Sequence, residues 1–242
     1  MSTVLEPSLP LAPTWRPALE SGDRLSLVDF ERRSLARPDL KKAELIEGVV
    51  YVGSAVPCMA HGVPDMAIHG WLGLYGSQTP GLLVASNASL RLDSRNAPQP
   101  DALLAFERTP EGKSRLDADD FFVGPPELIV EISASSASYD LHDKKQAYER
   151  NGVREYVVVI VEQRRVAWFE LCAGQYQEQP AVEGIHRSRQ FPGLWLDSAA
   201  LLDNSLPRLF ATLQRGLATP EHAAFAARAL PGGTGPGATG PV

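Results

Sequence analysis

The chain has 242 residues, 29 Asp plus Glu against 23 Lys plus Arg, a net charge of -6 and 44% hydrophobic residues. This composition excludes disorder over the whole length and supports one large domain with trimmings, or two small ones. It also lacks the broad basic footprint of a protein that grips duplex DNA through many phosphates.

Residues 1–20 are Pro-rich and residues 231–242 (PGGTGPGATGPV) are built of Gly, Pro and small residues, so flexible tails are expected around a folded unit at 21–230. The N-terminal stretch has no basic n-region and carries four prolines, which argues against a signal peptide. No stretch approaches about 18 continuous apolar residues, so no membrane span is expected. The two cysteines, Cys58 and Cys172, are far apart. They exclude a zinc ribbon or disulfide scaffold, leave a single bridge open, and fit a cytoplasmic location.

Within the folded unit, residues 25–35 carry apolar side chains at helical spacing behind Ser21-Gly22-Asp23, and Pro38 closes them. Residues 44–52 (ELIEGVVYV) read as a hairpin or bent strand, and residues 61–75 have the length of a helix. Short strands are expected at 82–85 and 88–92, then a loop through Pro98 and Pro100, then a strand at 101–106 that begins with a carboxylate. Residues 107–123 are polar and read as a surface loop. Residues 127–133 (ELIVEIS) are too apolar for a half-exposed strand, which predicts a central strand covered on both faces.

A helix is predicted at 140–151, with Gly152 at the left-handed position after it. Two β-branched runs, 155–161 and 166–171, make a hairpin, and a helix at 201–217 closes the domain. The fold class is α/β, with mixed strands around one core. No internal repeat is visible, which removes solenoids and propellers.

Glu131 is the most informative residue, a carboxylate inside Leu128-Ile129-Val130-Glu131-Ile132. Burying it unpaired costs several kcal/mol, so it needs a cation, a partner or a shifted pKa. Asp101 follows the rigid Pro100 at the start of the next candidate strand. If the two strands are neighbours, Asp101 and Glu131 can hold one divalent cation, and their hard oxygens select Mg²⁺ or Mn²⁺. The alternative for Asp101 is a turn cap. Lys144 and Tyr148, four apart, share one face of the helix that follows Glu131. The alternative for Lys144 and Lys145 is a solvated face beside Asp140 and Asp143.

Pro100-Asp101, Glu131 in its apolar strand, and Lys144 with Tyr148 on the next helix resemble the PD-(D/E)XK nuclease superfamily. Within it, the pattern is most similar to the Uma-two type of endonuclease. Further matches are Glu44-Leu45-Ile46-Glu47-Gly48, His61, Gly124-Pro125-Pro126, Gly152-Val153-Arg154-Glu155-Tyr156 and Phe191-Pro192-Gly193-Leu194. The resemblance implies a restriction-endonuclease-like mixed sheet flanked by helices, Asp101 and Glu131 as metal ligands, and phosphodiester hydrolysis by metal-activated water. The superfamily lysine normally lies two residues after the glutamate, where this chain has Ser133. In the Uma-two type that lysine has moved to the next helix, where Lys144 matches and Lys145 is second. Glu47 and His61 also match family positions. The alternatives are a turn glutamate for Glu47 and a capping or packed side chain for His61.

The expected function is a Mg²⁺- or Mn²⁺-dependent DNA endonuclease. A nuclease-fold protein that binds nucleic acid or a protein partner without cutting is the alternative, motivated by the acidic charge and the displaced lysine. A third reading keeps the metal but takes a smaller phosphodiester. A homodimer would pair through the apolar 155–171 hairpin across a two-fold axis.

Overall fold

In a computed structural model, which describes residues 19–53, 55–107, 114–134 and 137–229, the first element is helix α1 (Leu27–Leu35). Ser26 Oγ accepts the Asp29 N–H at 3.2 Å, so this cap starts the helix two residues later than the apolar spacing suggests. Phe30 of α1 packs on a hairpin of strands β1 (Ala43–Ile46) and β2 (Val49–Val52), burying Leu19, Leu45, Val50 and Ala97 with it. Glu47 and Gly48 form the hairpin turn with φ of 53° and 76°, the pair of positive values that a tight two-residue turn requires.

A π-helical turn, Cys58–Gly62, leads into α2 (Val63–Ser77). Strands β3 (Leu82–Ser86), β4 (Leu90–Arg91), β5 (Ala102–Phe106), β6 (Arg115–Leu116), β7 (Phe122–Val123) and β8 (Leu128–Ser133) follow. Helix α3 (Ala137–Tyr139) passes through a second π turn, Asp140–Lys144, into α4 (Lys145–Asn151). Gly152 ends it with φ 86°, as expected. The chain continues through β9 (Glu155–Ile160), β10 (Arg165–Cys172), β11 (Gln175–Glu178), β12 (Ile185–Arg187) and β13 (Trp195–Asp197). It ends in α5 (Ser198–Leu202), α6 (Leu206–Leu217) and α7 (Pro220–Ala229).

One six-stranded mixed sheet, ordered β11-β10-β9-β8-β5-β3, carries the fold. Within this sheet β8 and β9 are the parallel pair among otherwise antiparallel neighbours, and the helical segment 137–151 supplies the crossover that a parallel pair needs. Every residue of β8 and β9 is buried. Leu128, Val130 and Ile132 face Trp71 and Leu72 of α2 and Leu209 and Leu213 of α6. Ile129 faces the opposite layer with Tyr148 of α4 and Tyr156. Period-2 alternation therefore sends Glu131 toward α4. The expected α/β architecture, a mixed sheet flanked by helices, is present.

Several elements differ from the sequence expectation. Residues 107–123 are not all loop: β6 and β7 join β4 in a three-stranded sheet, and Phe122 is buried. The helix expected at 201–217 is broken by Asn204, at φ 51°, and restarts as α6 with a proline in its first turn. Strands β11 to β13 and helix α7 were not anticipated. The 155–171 hairpin belongs to the sheet: β9 is covered on both faces, and β11 pairs with the outer edge of β10 over Phe169–Cys172.

Cys58 and Cys172 are free thiols, so the single bridge is absent. No helix among the described residues is long and apolar enough to cross a membrane. The tails expected at both ends fall outside the described residues apart from residues 19 and 20. Near the C-terminal helices Gly193, at φ 89°, meets Gly216 so closely that a Cβ on Gly216 would lie 2.1 Å from the Gly193 carbonyl oxygen.

Candidate active site

Antiparallel pairing of β5 and β8 aligns Ala102 with Val130 and Leu103 with Ile129. One step further along this register, Asp101 stands opposite Glu131. Asp101 Oδ2 accepts the Ile132 N–H at 2.8 Å, which ties the two strands together at their carboxylates. Asp101 and Glu131 are 3% and 2% exposed.

The β1–β2 hairpin docks on the segment leading to Asp101 through reciprocal bonds between the backbones of Leu45 and Ala97, at 3.1 and 2.8 Å. Leu45 turns into the hairpin core, so its neighbour Glu44 turns the other way, and Lys42, two residues earlier, follows it. Glu44 Oε1 accepts the Gln99 N–H at 2.7 Å. Lys42 Nζ donates to Asp101 Oδ1 at 3.0 Å.

From the helical layer, Lys144 Nζ lies 2.9 Å from Glu131 Oε1, 2.9 Å from Glu44 Oε1 and 3.9 Å from Asp140 Oδ1. The Tyr148 hydroxyl donates to the same Glu131 Oε1 at 2.8 Å. The Tyr139 ring lies 5.4 Å from the Lys144 ammonium. Two histidines of the 58–77 segment complete the site. His61 Nε2 is 3.4 Å from Asp101 Oδ2. His69 reaches the backbone carbonyls of Asp65 and Asp101 with its two nitrogens, at 2.8 and 3.1 Å. Carbonyls only accept, so a neutral His69 donates to only one of them and the two contacts together favour the protonated ring.

Electrostatics separates the two central carboxylates. Burial works to raise Asp101, but the hydrogen bond from His61, the Lys42 ammonium and the Ile132 N–H hold it well below the usual carboxylate range. Burial pushes Glu131 up to about 8, and Asp101, Glu44 and Asp140 add to the rise against the pull of Lys144. For Lys144 burial works to lower the pKa, yet Glu131, Glu44 and Asp140 hold it above the ordinary lysine value. Lys42 is raised in the same way: burial opposes the rise, and Glu131, Asp101 and Glu44 outweigh it. His61 is raised chiefly by its hydrogen bond to Asp101, and His69 chiefly by its contact with Asp65.

Of the residues anticipated from sequence, Asp101, Glu131, Lys144, Tyr148 and His61 converge here. Glu47 does not: it occupies the hairpin turn, where its carboxylate pairs with Arg150 at 2.7 Å. Lys145 points away, over the Phe169 ring at 4.2 Å, and of the two lysines only Lys144 contacts Glu131. Glu44, Lys42 and His69 were missed. Glu44 carried a legible signal, a carboxylate beside Leu45 and Ile46 in a β-rich run, the same kind of oddity that singled out Glu131.

Among the described residues, no three His, Cys, Asp or Glu side chains group as a ready metal cage. What the site offers is a pair of hard carboxylates on opposed strands. Four acids, Glu44, Asp101, Glu131 and Asp140, meet the Lys42 and Lys144 ammonium groups and the His61 ring, and Glu131 is raised chiefly by its burial, with the other three acids adding to the rise. A donor set of this kind fits a small divalent cation.

The Uma2 family profile, described as "Putative restriction endonuclease", matches residues 27–199. Among solved structures, the chain is similar to the crystal structure of "a putative nuclease belonging to DUF820" from Anabaena variabilis. The two share 11% identity over 66% of this chain and 90% of that one, with a TM-score of 0.48. No curated protein matches.

Proposed function

The chain belongs to the Uma2 family of restriction-endonuclease-like proteins, and from that premise we propose that it is a Mg²⁺- or Mn²⁺-dependent DNA endonuclease acting in the cytoplasm. The observation that carries this reading is the opposition of two buried carboxylates, Asp101 immediately before β5 and Glu131 within the antiparallel neighbour β8. Asp101 and Glu131 would hold the cation. When bound, it lowers the pKa of a water molecule and neutralises charge on the scissile phosphate.

The protein's own groups prepare the two ligands. Lys42, His61 and the Ile132 N–H keep Asp101 ionised, so it is ready to coordinate near neutral pH. Lys144 and Tyr148 both grip Oε1 of Glu131, which fixes that carboxylate and turns its second oxygen, Oε2, away from them. The Lys144 side chain is 3% exposed, so these contacts act in a low-dielectric environment.

Nicking of supercoiled plasmid in Mn²⁺ or Mg²⁺ tests the proposal. Asp101→Asn and Glu131→Gln should each lower the rate by about 100-fold or more, with the fold intact by circular dichroism. Wild-type protein that cuts neither plasmid nor single-stranded DNA, or carboxylate variants as active as wild type, would overturn it. A second reading, a nuclease-fold protein that binds without cutting, is favoured by the net charge of -6. DNA binding without turnover in either metal would select it.

A further inference from the structure

Hydrolysis of a phosphodiester needs a positive group that can touch the attacking water or the phosphate, and the position two residues after Glu131 is Ser133, which is neutral and 1% exposed. Two lysines reach the carboxylates. The Lys144 side chain is 3% exposed, and its ammonium is engaged by Glu131, Glu44 and Asp140. With two carboxylate oxygens at 2.9 Å and its side chain enclosed, Lys144 has no open face to offer a ligand. Lys42 differs on both counts: among the described residues its ammonium contacts one carboxylate oxygen, Asp101 Oδ1 at 3.0 Å, and its side chain is 30% exposed.

Local backbone structure fixes where Lys42 stands. The ladder of β1 and β2 continues one residue beyond both strands, with the Gly53 N–H donating to the Lys42 carbonyl at 2.9 Å. A Cβ on Gly53 would lie 3.0 Å from the Lys42 Cβ, so the two backbones are in close contact. The stem of Lys42 is thereby anchored to the hairpin, while its tip spans to Asp101 on the central sheet.

On the nuclease reading above, we infer that Lys42, from the hairpin edge, is the lysine that touches substrate, and that Lys144 is a positioning residue for Glu131 and Glu44. In the reaction the water oxygen forms a bond to phosphorus and the bond from phosphorus to the leaving sugar oxygen breaks. One water proton ends on the leaving oxygen and the other on the product phosphate or bulk solvent. Lys42 forms no covalent bond. Its free N–H donors stabilise the negative charge on the non-bridging oxygen and the attacking oxygen.

The test separates contact with phosphate from structural support, and it does not depend on a metal. Binding of a fluorescent DNA duplex is followed by anisotropy in EDTA across a salt series, and cleavage is measured separately in Mn²⁺. Lys42→Met should reduce the salt slope by about one, the loss of one phosphate contact, and slow cleavage by about 100-fold with the fold intact by circular dichroism. Lys42→Arg should restore the slope. Lys144→Met should melt earlier and leave the slope at the wild-type value. A folded Lys42→Met protein with the wild-type slope, or with wild-type cleavage, overturns the assignment to Lys42 and leaves the nuclease reading standing. A wild-type protein that neither binds nor cuts DNA removes both.

Discussion

Lys144 and Glu131 meet at 2.9 Å with side chains that are each 3% exposed. An ion pair this deeply enclosed is poor evidence of net stabilisation, because desolvating both charges offsets most of their attraction. Its removal by halves is another matter. Lys144→Met leaves Glu44, Glu131 and Asp140 facing one another without their shared cation, and is expected to cost about 3 to 5 kcal/mol. Urea denaturation reads this directly. A loss below about 1 kcal/mol would show that the three acids do not depend on Lys144.

Tyr148→Phe probes the same carboxylate from the other side. The hydroxyl is held protonated by burial, far above the ordinary tyrosine value, so it serves Glu131 only as a donor. Deleting it should cost about 1 to 2 kcal/mol and slow plasmid nicking less than Glu131→Gln does. Equal loss of activity in the two variants would give Tyr148 a larger part than support.

Glu155 predicts a pH effect at a distance from the site. Its carboxylate accepts from Ser188 Oγ at 2.6 Å and from the N–H groups of Arg189 and Gln190 at 2.8 and 3.3 Å. Burial nevertheless outweighs those donors and pushes its pKa from 4.5 to about 7. The folded state thus binds the proton more tightly than the unfolded chain does. The contribution is complete below about 4.5, fades as pH rises, and is lost above about 7, on the order of 3 kcal/mol in all. Glu131 adds a decline of the same sign that extends to about 8. In urea titrations the wild type should be more stable at pH 5 than at pH 8, and Glu155→Gln should narrow that difference. An undiminished difference would assign the pH dependence elsewhere.

Gly216→Ala tests the contact between α6 and the turn at Gly193. The added methyl would sit 2.1 Å from a backbone carbonyl oxygen, which no rotamer can relieve. Overpacking against backbone should cost about 3 kcal/mol, seen as a lower melting temperature. A neutral substitution would mean that the two segments separate freely.

Legibility from sequence tracked how far each residue's role depends on local pattern. Glu131 could be read because a charge inside a central apolar strand is anomalous wherever the strand pairs. Asp101 could be read because Pro100 places it at a strand start, and Lys144 with Tyr148 because helical spacing makes them neighbours. Glu44 was passed over for Glu47, since both flank the same short run and only the hairpin turn, with Glu47 at φ 53°, decides which one faces the sheet. Lys42 and His69 owe their places to the docking of the hairpin and of α2 against the sheet, and no spacing in the chain encodes that. The missed break before α6 was local, carried by Asn204 and Pro207. The missed strands β11 to β13 are short and polar at their edges, and they take their shape from the larger sheet beside them.

The charged cluster draws Lys42 and Glu44 from the first hairpin, Asp101 from a middle strand, Glu131 from the central one and Lys144 from the crossover helix. Such contacts span long stretches of chain, and the loop-closure entropy they cost is met only after the sheet has brought those segments together. The cluster should therefore be among the last parts of the molecule to assemble during refolding, and among the first to come apart during unfolding. A folding intermediate holding only the β9–β10 hairpin and its neighbours would have a core but no active centre, so recovered activity would lag behind recovered secondary structure.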